Sequence, residues 1–321
     1  MTIDRRKVLA LLGAVPLAAS RSAWAQSAAW PAARPIRLLV GFPPGGSIDT
    51  LARAIADQLG QRLSASVVVE NRTGAAGMLA AEEAARQPAD GYTMLLIPGG
   101  PLLDNPRVDV FDDKSFTQIV KMTDSPVAVT ATTPYASVKQ LVDASKAAKE
   151  PLSFASSGIG SLQHLVGEMI VEQTGAKLGH VPYRGGGQAI TDLVAGHVPI
   201  GMLGVAPLLP HIQAGRIRAL AVSGSKRLGS LPDVPTLKEA GVDIAAVSWT
   251  SLAGPKDLPA PITARLAREV EAILAQPEVR GRLEPLGLIP NVLSGSGLVT
   301  YTRADRDAQM KIVRERKIPL Q

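Results

Sequence analysis

Ile36-Arg37-Leu38-Leu39-Val40-Gly41-Phe42-Pro43-Pro44-Gly45-Gly46-Ser47-Ile48-Asp49-Thr50 is the stretch on which the fold turns. Ile36 to Phe42 reads as a buried strand, and Pro43-Pro44-Gly45-Gly46 punctuates it. Beyond the turn, Ile48, Leu51, Ala52, Ile55 and Leu59 recur at i, i+3, i+4, i+7 and i+11, one apolar face of a helix. Val67-Val68-Val69 makes the next strand, Ala75 to Arg86 the next helix, and Asp90-Gly91 a turn into a strand at Tyr92 to Ile97. Strands and helices alternating through short loops are the mark of a mostly parallel sheet with helices on its faces, an α/β fold.

A second series of the same kind follows. Helix Val138–Lys149 leads to strand Leu152–Ala155, helix Leu162–Gln173, strand Lys177–Tyr183 and helix Ala189–Ala195, then strands Pro199–Leu203 and Ile217–Val222. Gly175, Gly196 and Gly215 stand near element ends, where glycine takes the left-handed cap conformation at little cost. After Trp249 the pattern is helical: Ile262–Leu274, Pro277–Leu286 and Gly297–Arg316. The expectation is two lobes, each a mostly parallel sheet flanked by helices. Two β-rich crossings, Phe116 to Thr132 outward and Ile244 to Ala253 back, would form a two-strand hinge. Lobe 1 is expected over 26–122 and 250–321, and lobe 2 over 123–249.

The amino terminus carries an export signature. Asp4, Arg5, Arg6 and Lys7 precede the apolar run Val8–Ala19, followed by Ala23-Trp24-Ala25. The run is too short for a span of ~20 residues, and Gly13 and Pro16 interrupt it. A signal peptide over 1–25, cleaved after Ala25, is expected, with Arg5-Arg6 leaving the twin-arginine and general routes both open. Cleavage removes Arg5, Arg6, Lys7, Arg21 and Asp4, taking the formal charge from +6 to +3. So mild a charge, with 3% aromatics, argues against a nucleic-acid surface. Zero cysteine excludes disulfides, thiol nucleophiles and thiolate metal sites.

Enzyme motifs break at the residue that would do the chemistry. Gly41 to Ser47 is half a P-loop with serine in place of the lysine, and Gly158-Ile159-Gly160 meets Gln163 where a third glycine belongs. His164, His180, His197 and His211 make no metal-ligand spacing. Ser223-Gly224-Ser225-Lys226 satisfies S-x-x-K without its companion motifs, leaving an exported serine hydrolase using Ser223 and Lys226 as a rival from another class. No metal or organic cofactor is expected.

Small, hydroxyl-bearing loops at helix starts remain: Gly45-Gly46-Ser47-Ile48-Asp49, Ser156-Ser157-Gly158-Ile159-Gly160-Ser161 and Tyr183-Arg184-Gly185-Gly186-Gly187. Helix starts expose unpaired N–H groups and a partial positive charge, so they hold anions without a cation. Ordinary capping by Ser47 and Ser161 explains each loop equally well on its own. Asp49 and Asp192 fit either as caps or as ligand acceptors, and Trp249 fits either as core or as ligand platform.

Several of these segments resemble the Bug-type substrate-binding proteins, the TctC-like receptors of tripartite tricarboxylate transporters. The likeness runs through Arg34–Val40, Phe42–Thr50, Val68–Gly74, Pro88–Thr93, Ser157–Ser161 with His164-Leu165, and Val181–Gly185 with Asp192-Leu193 and Gly196. It closes with Leu231–Thr236, Ala240-Gly241 and Pro277–Val279. The resemblance implies a two-lobed, type II-like periplasmic binding protein closing on a small carboxylate, with waters bridging its oxygens to the first two loops. It implies a ligand site at Pro44, Gly46, Ser47 and Asp49; at Ser156, Ser157, Ser161 and His164; and at Tyr183, Gly185 and Asp192. It also implies delivery by a monomer to membrane permease subunits, or, as a variant, presentation to a sensor kinase. Ile48, Gly187-Gln188, Trp249-Thr250-Ser251 and a short Gly99–Val110 depart from the family pattern, and these departures bear on which ligand is bound.

Overall fold

A computed structural model describes residues 30–74, 77–99, 104–105, 108–109, 115–132, 134–315 and 317. The expected signal peptide lies outside them. No helix among the described residues is long and apolar enough to cross a membrane.

The first lobe begins with strand β1 (Ile36–Val40), helix α1 (Ser47–Leu63), strand β2 (Val67–Asn71), helix α2 (Met78–Ala85) and strand β3 (Thr93–Pro98). Strands β4 (Asp104–Asn105) and β5 (Val108–Asp109) form a small pair, and the long strand β6 (Phe116–Ala131) then leaves the lobe. In the second lobe come α3 (Val138–Ala147), β7 (Leu152–Ser156), α4 (Leu162–Thr174), β8 (Leu178–Pro182) and α5 (Gly186–Val194). Strand β9 (Ile200–Gly204), helix α6 (Val205–Gln213) and strand β10 (Arg218–Val222) complete it. Strand β11 (Val247–Pro255) returns to helices α7 (Ala260–Leu274) and α8 (Pro277–Leu283), strand β12 (Ile289–Ser294) and helix α9 (Gly295–Glu315).

Sheet order is β2-β1-β3-β11-β6-β9-β7-β8, with β10 and β12 also pairing β6. Parallel pairing holds β1 to β2 and β3, and β7 to β8 and β9. The crossings β6 and β11 run antiparallel to each other and make the two-strand hinge. One half of β6 pairs β11 and β12 while the other, from Val127 on, pairs β9 and β10, so a single strand belongs to both lobes.

The apolar face expected on α1 is buried: Leu51, Ala52, Ile55 and Leu59 pack with Ile36, Leu38 and Val40 of β1. A second core gathers Val127 and Val129 of β6 with Phe154, Val166, Ile200 and Leu220.

Two elements correct the sequence reading. Helix α6 stands where no helix was expected, with Pro207 and Pro210 both inside it. Pro207 lies in the first turn, where its missing N–H has no partner to lose. Strand β12 interrupts the expected all-helical tail. Its partner β6 is remote in sequence, and only tertiary pairing draws Pro290 and Asn291 into a strand.

Candidate functional site

A partly open cavity of about 250 Å³ lies between the lobes, over strands β3, β6 and β11. Four helices begin at its wall: α1 after the β1 loop, α4 after β7, α5 after β8 and α6 directly after β9. No Lys, Arg, His, Asp or Glu lines it among the described residues. Aligned backbone amides therefore supply the positive end of the site.

The first loop is braced from behind. Gly45, at φ +84, turns its N–H onto Asp49 Oδ2 at 2.9 Å. The buried Asp49 carboxylate also accepts Arg53 Nε and Nη2, each at 3.0 Å, and Asn71 Nδ2 at 2.9 Å. Burial alone would push the Asp49 carboxyl up, but these donors outweigh it and hold it below its usual range. Asp49 is thus a clamp on the loop's shape. The α1 N-cap is Gly46, which corrects the capping role entertained for Ser47. Ser47 is the first helical residue, half-buried on the cavity wall, and its hydroxyl has no partner among the described residues.

The second loop is tied more tightly. Ser161 is a true N-cap: its Oγ accepts His164 N–H at 3.2 Å and donates to Gly158 O at 2.7 Å. Ser156, fully buried, shares a 2.6 Å hydrogen bond with His180 Nε2. Gly160 N–H donates to His164 Nδ1 at 3.1 Å, and the His164 and His180 rings stack 3.7 Å apart at 10°. Burial, and then the neighbouring His164, lowers the His180 pKa to about 4. In the third loop, Tyr183 Oη donates to Asp192 Oδ2 at 2.8 Å. Burial and this bond push the Tyr183 hydroxyl up to about 12.

Of the residues singled out from sequence, Pro44, Gly46, Ser47, Ser157 and Ser161 line the cavity. Asp49, Ser156, His164, Tyr183 and Asp192 stand behind the loops in the bonds just given. Gly185 caps α5 and faces Pro43 across the cleft. Trp249 is fully buried and turned away from the cavity, its Nε1 donating to Asp305 at 2.6 Å. Ser223 spends its hydroxyl on two backbone groups, accepting Val127 N–H and donating to Ala246 O, while Lys226 is exposed.

Sequence reasoning missed the cavity floor. Pro98, Ser125, Pro126, Ser248 and Thr250 of the floor come from strand β3 and the hinge strands β6 and β11; on the wall, Gly204 and Pro207 at the start of α6 were missed as well. Strand alternation puts Ser248 and Thr250 on the cavity side of β11 and Trp249 on the other.

Residues 51–318 match the family described as the tripartite tricarboxylate transporter family receptor. BugT of Bordetella pertussis is 33% identical over 299 residues, covering 90% of each chain. An adipate-bound protein of R. palustris superposes at TM-score 0.85 with 30% identity, covering 90% of this chain and 99% of that one. MatC of Rhodopseudomonas palustris with bound malate gives TM-score 0.77 and 28% identity, covering 87% and 99%.

Proposed function

The chain belongs to the tripartite tricarboxylate transporter receptor family, and from that membership and the cavity between the lobes we propose an extracytoplasmic solute receptor. It captures a small carboxylate between its lobes and delivers it to the membrane subunits of a tripartite tricarboxylate-type transporter. The observation that carries this reading is a cation-free cavity with four helix starts on its wall. An anion there meets donors that need no counter-charge. The solved relatives with adipate and malate support the same ligand class.

On this reading 1–25 is removed on export to the periplasm, and the mature protein acts as a monomer. Lobe 1 comprises 26–122 and 250–321, and lobe 2 comprises 123–249. This division is supported by two apolar cores, one ending on β6 at Met122 and the other beginning at Val127. Gly46, Ser47, Ser157 and Ser161 contact the ligand, while Pro44 shapes the wall. Asp49, Ser156, His164, Tyr183, Gly185 and Asp192 hold the loops in place. The ligand favours the closed form by its higher affinity for that form. The protein is a binder and no enzyme, a reading that the engaged Ser223 hydroxyl supports.

Native mass spectrometry of protein freshly released from the periplasm tests this, together with melting-temperature shifts across a panel of small carboxylates. A retained acid or a specific shift is expected. Protein that retains no acid and responds to no carboxylate would overturn the reading.

A further inference from the structure

The walls and the floor of the cavity are built from different chemistry. Helix starts on the walls present free amides. The floor is made of strand, whose amides are already spent on the sheet: Thr250 pairs with Pro98 on one side and Thr123 on the other, and Ser248 pairs with Ser125. Pro98 and Pro126, also in the floor, carry no N–H at all. What the floor offers is hydroxyls.

Two of them are conspicuous. Thr250, 4% exposed, lines the cavity with a hydroxyl that has no hydrogen-bond partner among the described residues. Directly across from it, Thr123 is fully buried and its Oγ1 is equally unpartnered. Ser125 and Ser248, both lining, continue the same strand face. Of the two, only the Thr123 oxygen is sealed from solvent, which is rare in native structures, while the Thr250 hydroxyl opens to the cavity and is free to meet a ligand. Val127, Ile190 and Leu203, all apolar, also line the cavity.

Resting on the carboxylate-receptor reading, we propose that the ligand is a monocarboxylate with an apolar middle and a neutral hydroxyl at its far end, which Thr250 recognises. A hydroxyl both donates and accepts, matching the floor's own hydroxyls. A second carboxylate accepts only, and it would be buried with neither a cation nor backbone amides to receive it. Diacids are therefore disfavoured by the floor, and triacids more strongly.

Calorimetry with three matched acids at each chain length from four to six carbons tests this: the terminal hydroxy acid, the plain monoacid and the diacid (at six carbons, 6-hydroxyhexanoate, hexanoate and adipate). At its best length the hydroxy acid is expected to bind at least tenfold tighter than either companion. In Thr250→Val its advantage over the plain acid is expected to fall to about one. A diacid or plain acid binding tightest, or an unchanged ratio in Thr250→Val, would overturn the hydroxyl-end assignment and leave the carboxylate reading standing. Binding of none of the nine acids would overturn the hydroxyl-end assignment, and only with no retained acid and no response across the wider carboxylate panel would the carboxylate reading fall with it.

Discussion

The Trp249 indole N–H donates to the Asp305 carboxylate at 2.6 Å, fastening the returning hinge strand to the carboxy-terminal helix α9. Tyr301, one turn earlier on α9, meets the Trp249 ring edge-on at 6.0 Å. Burial pushes the Asp305 carboxyl up, against the pull of its donors Trp249 and Gln309. Trp249→Phe removes one hydrogen bond to this group and should lower unfolding stability by about 1.5–3 kcal/mol. A carboxyl whose native pKa is raised stabilises below its unfolded value near 4 and loses that contribution as pH rises. Asp305→Asn should therefore gain on the parent protein between about pH 4 and neutrality. Urea titrations across that range check it, and a difference independent of pH would contradict it.

The stacked histidines give the opposite slope. His180 has a native pKa of about 4 and an ordinary value of 6.5, so between them the unfolded chain binds more protons. Stability is fully present above pH 6.5 and falls with acidification toward pH 4. Going from pH 7 to pH 5 should cost on the order of 1 kcal/mol from this residue, the shift being discounted for its partial exposure. His180→Gln should flatten that part of the profile, as read by urea unfolding at the two pH values.

Ser47 separates capping from ligand contact. Gly46 occupies the cap, so Ser47→Ala should leave the melting temperature within a few degrees while weakening carboxylate binding about tenfold. Ser47→Asp should abolish binding, since it fixes an anion where the ligand's must sit, yet an acid in the first turn favours the helix. Calorimetry and thermal melts on both variants measure this. Unchanged affinity in Ser47→Asp would remove the first loop from the site.

Gly204 sits at the α6 N-cap with ordinary dihedrals, φ −62 and ψ 143, so a side chain is conformationally tolerable there. Its constraint lies across the cleft, where an added Cβ would stand 3.2 Å from Ser47 Oγ of the other lobe. Gly204→Val should hold the lobes apart. Overpacking of this kind costs about 1–3 kcal/mol, a ligand affinity loss of roughly ten- to hundredfold. Small-angle scattering with and without ligand should show the variant failing to compact.

What was legible in the sequence depended on nearest-neighbour spacing. The β1 run and the α1 face are each set by residues a few positions apart, and both formed where expected. The second lobe's alternation was legible for the same reason, from α3 to β10, apart from α6. Of the site, the loops could be read because glycine, proline and serine clusters mark turns wherever they occur. The floor could not. Ser125, Ser248 and Thr250 are unremarkable in strands, and they become a patch only through the register between β6 and β11. Asp49 is a mixed case: its Arg53 partner lies at i+4 on the same helix and is within reach of spacing, but Asn71 arrives from the next strand and is not.

A wall made of main-chain amides is blind to most substitution, since every residue except proline brings the same N–H to the same place. On the carboxylate reading, drift along α1, α4, α5 and α6 is tolerated wherever the new side chain neither adds an anion nor fills the cleft, as it would at Ser47 and Gly204. The floor has no such immunity, because each of its hydroxyls is one codon away from being lost or replaced. On that reading, head-group capture is a property of the fold and cargo preference a property of a few floor side chains.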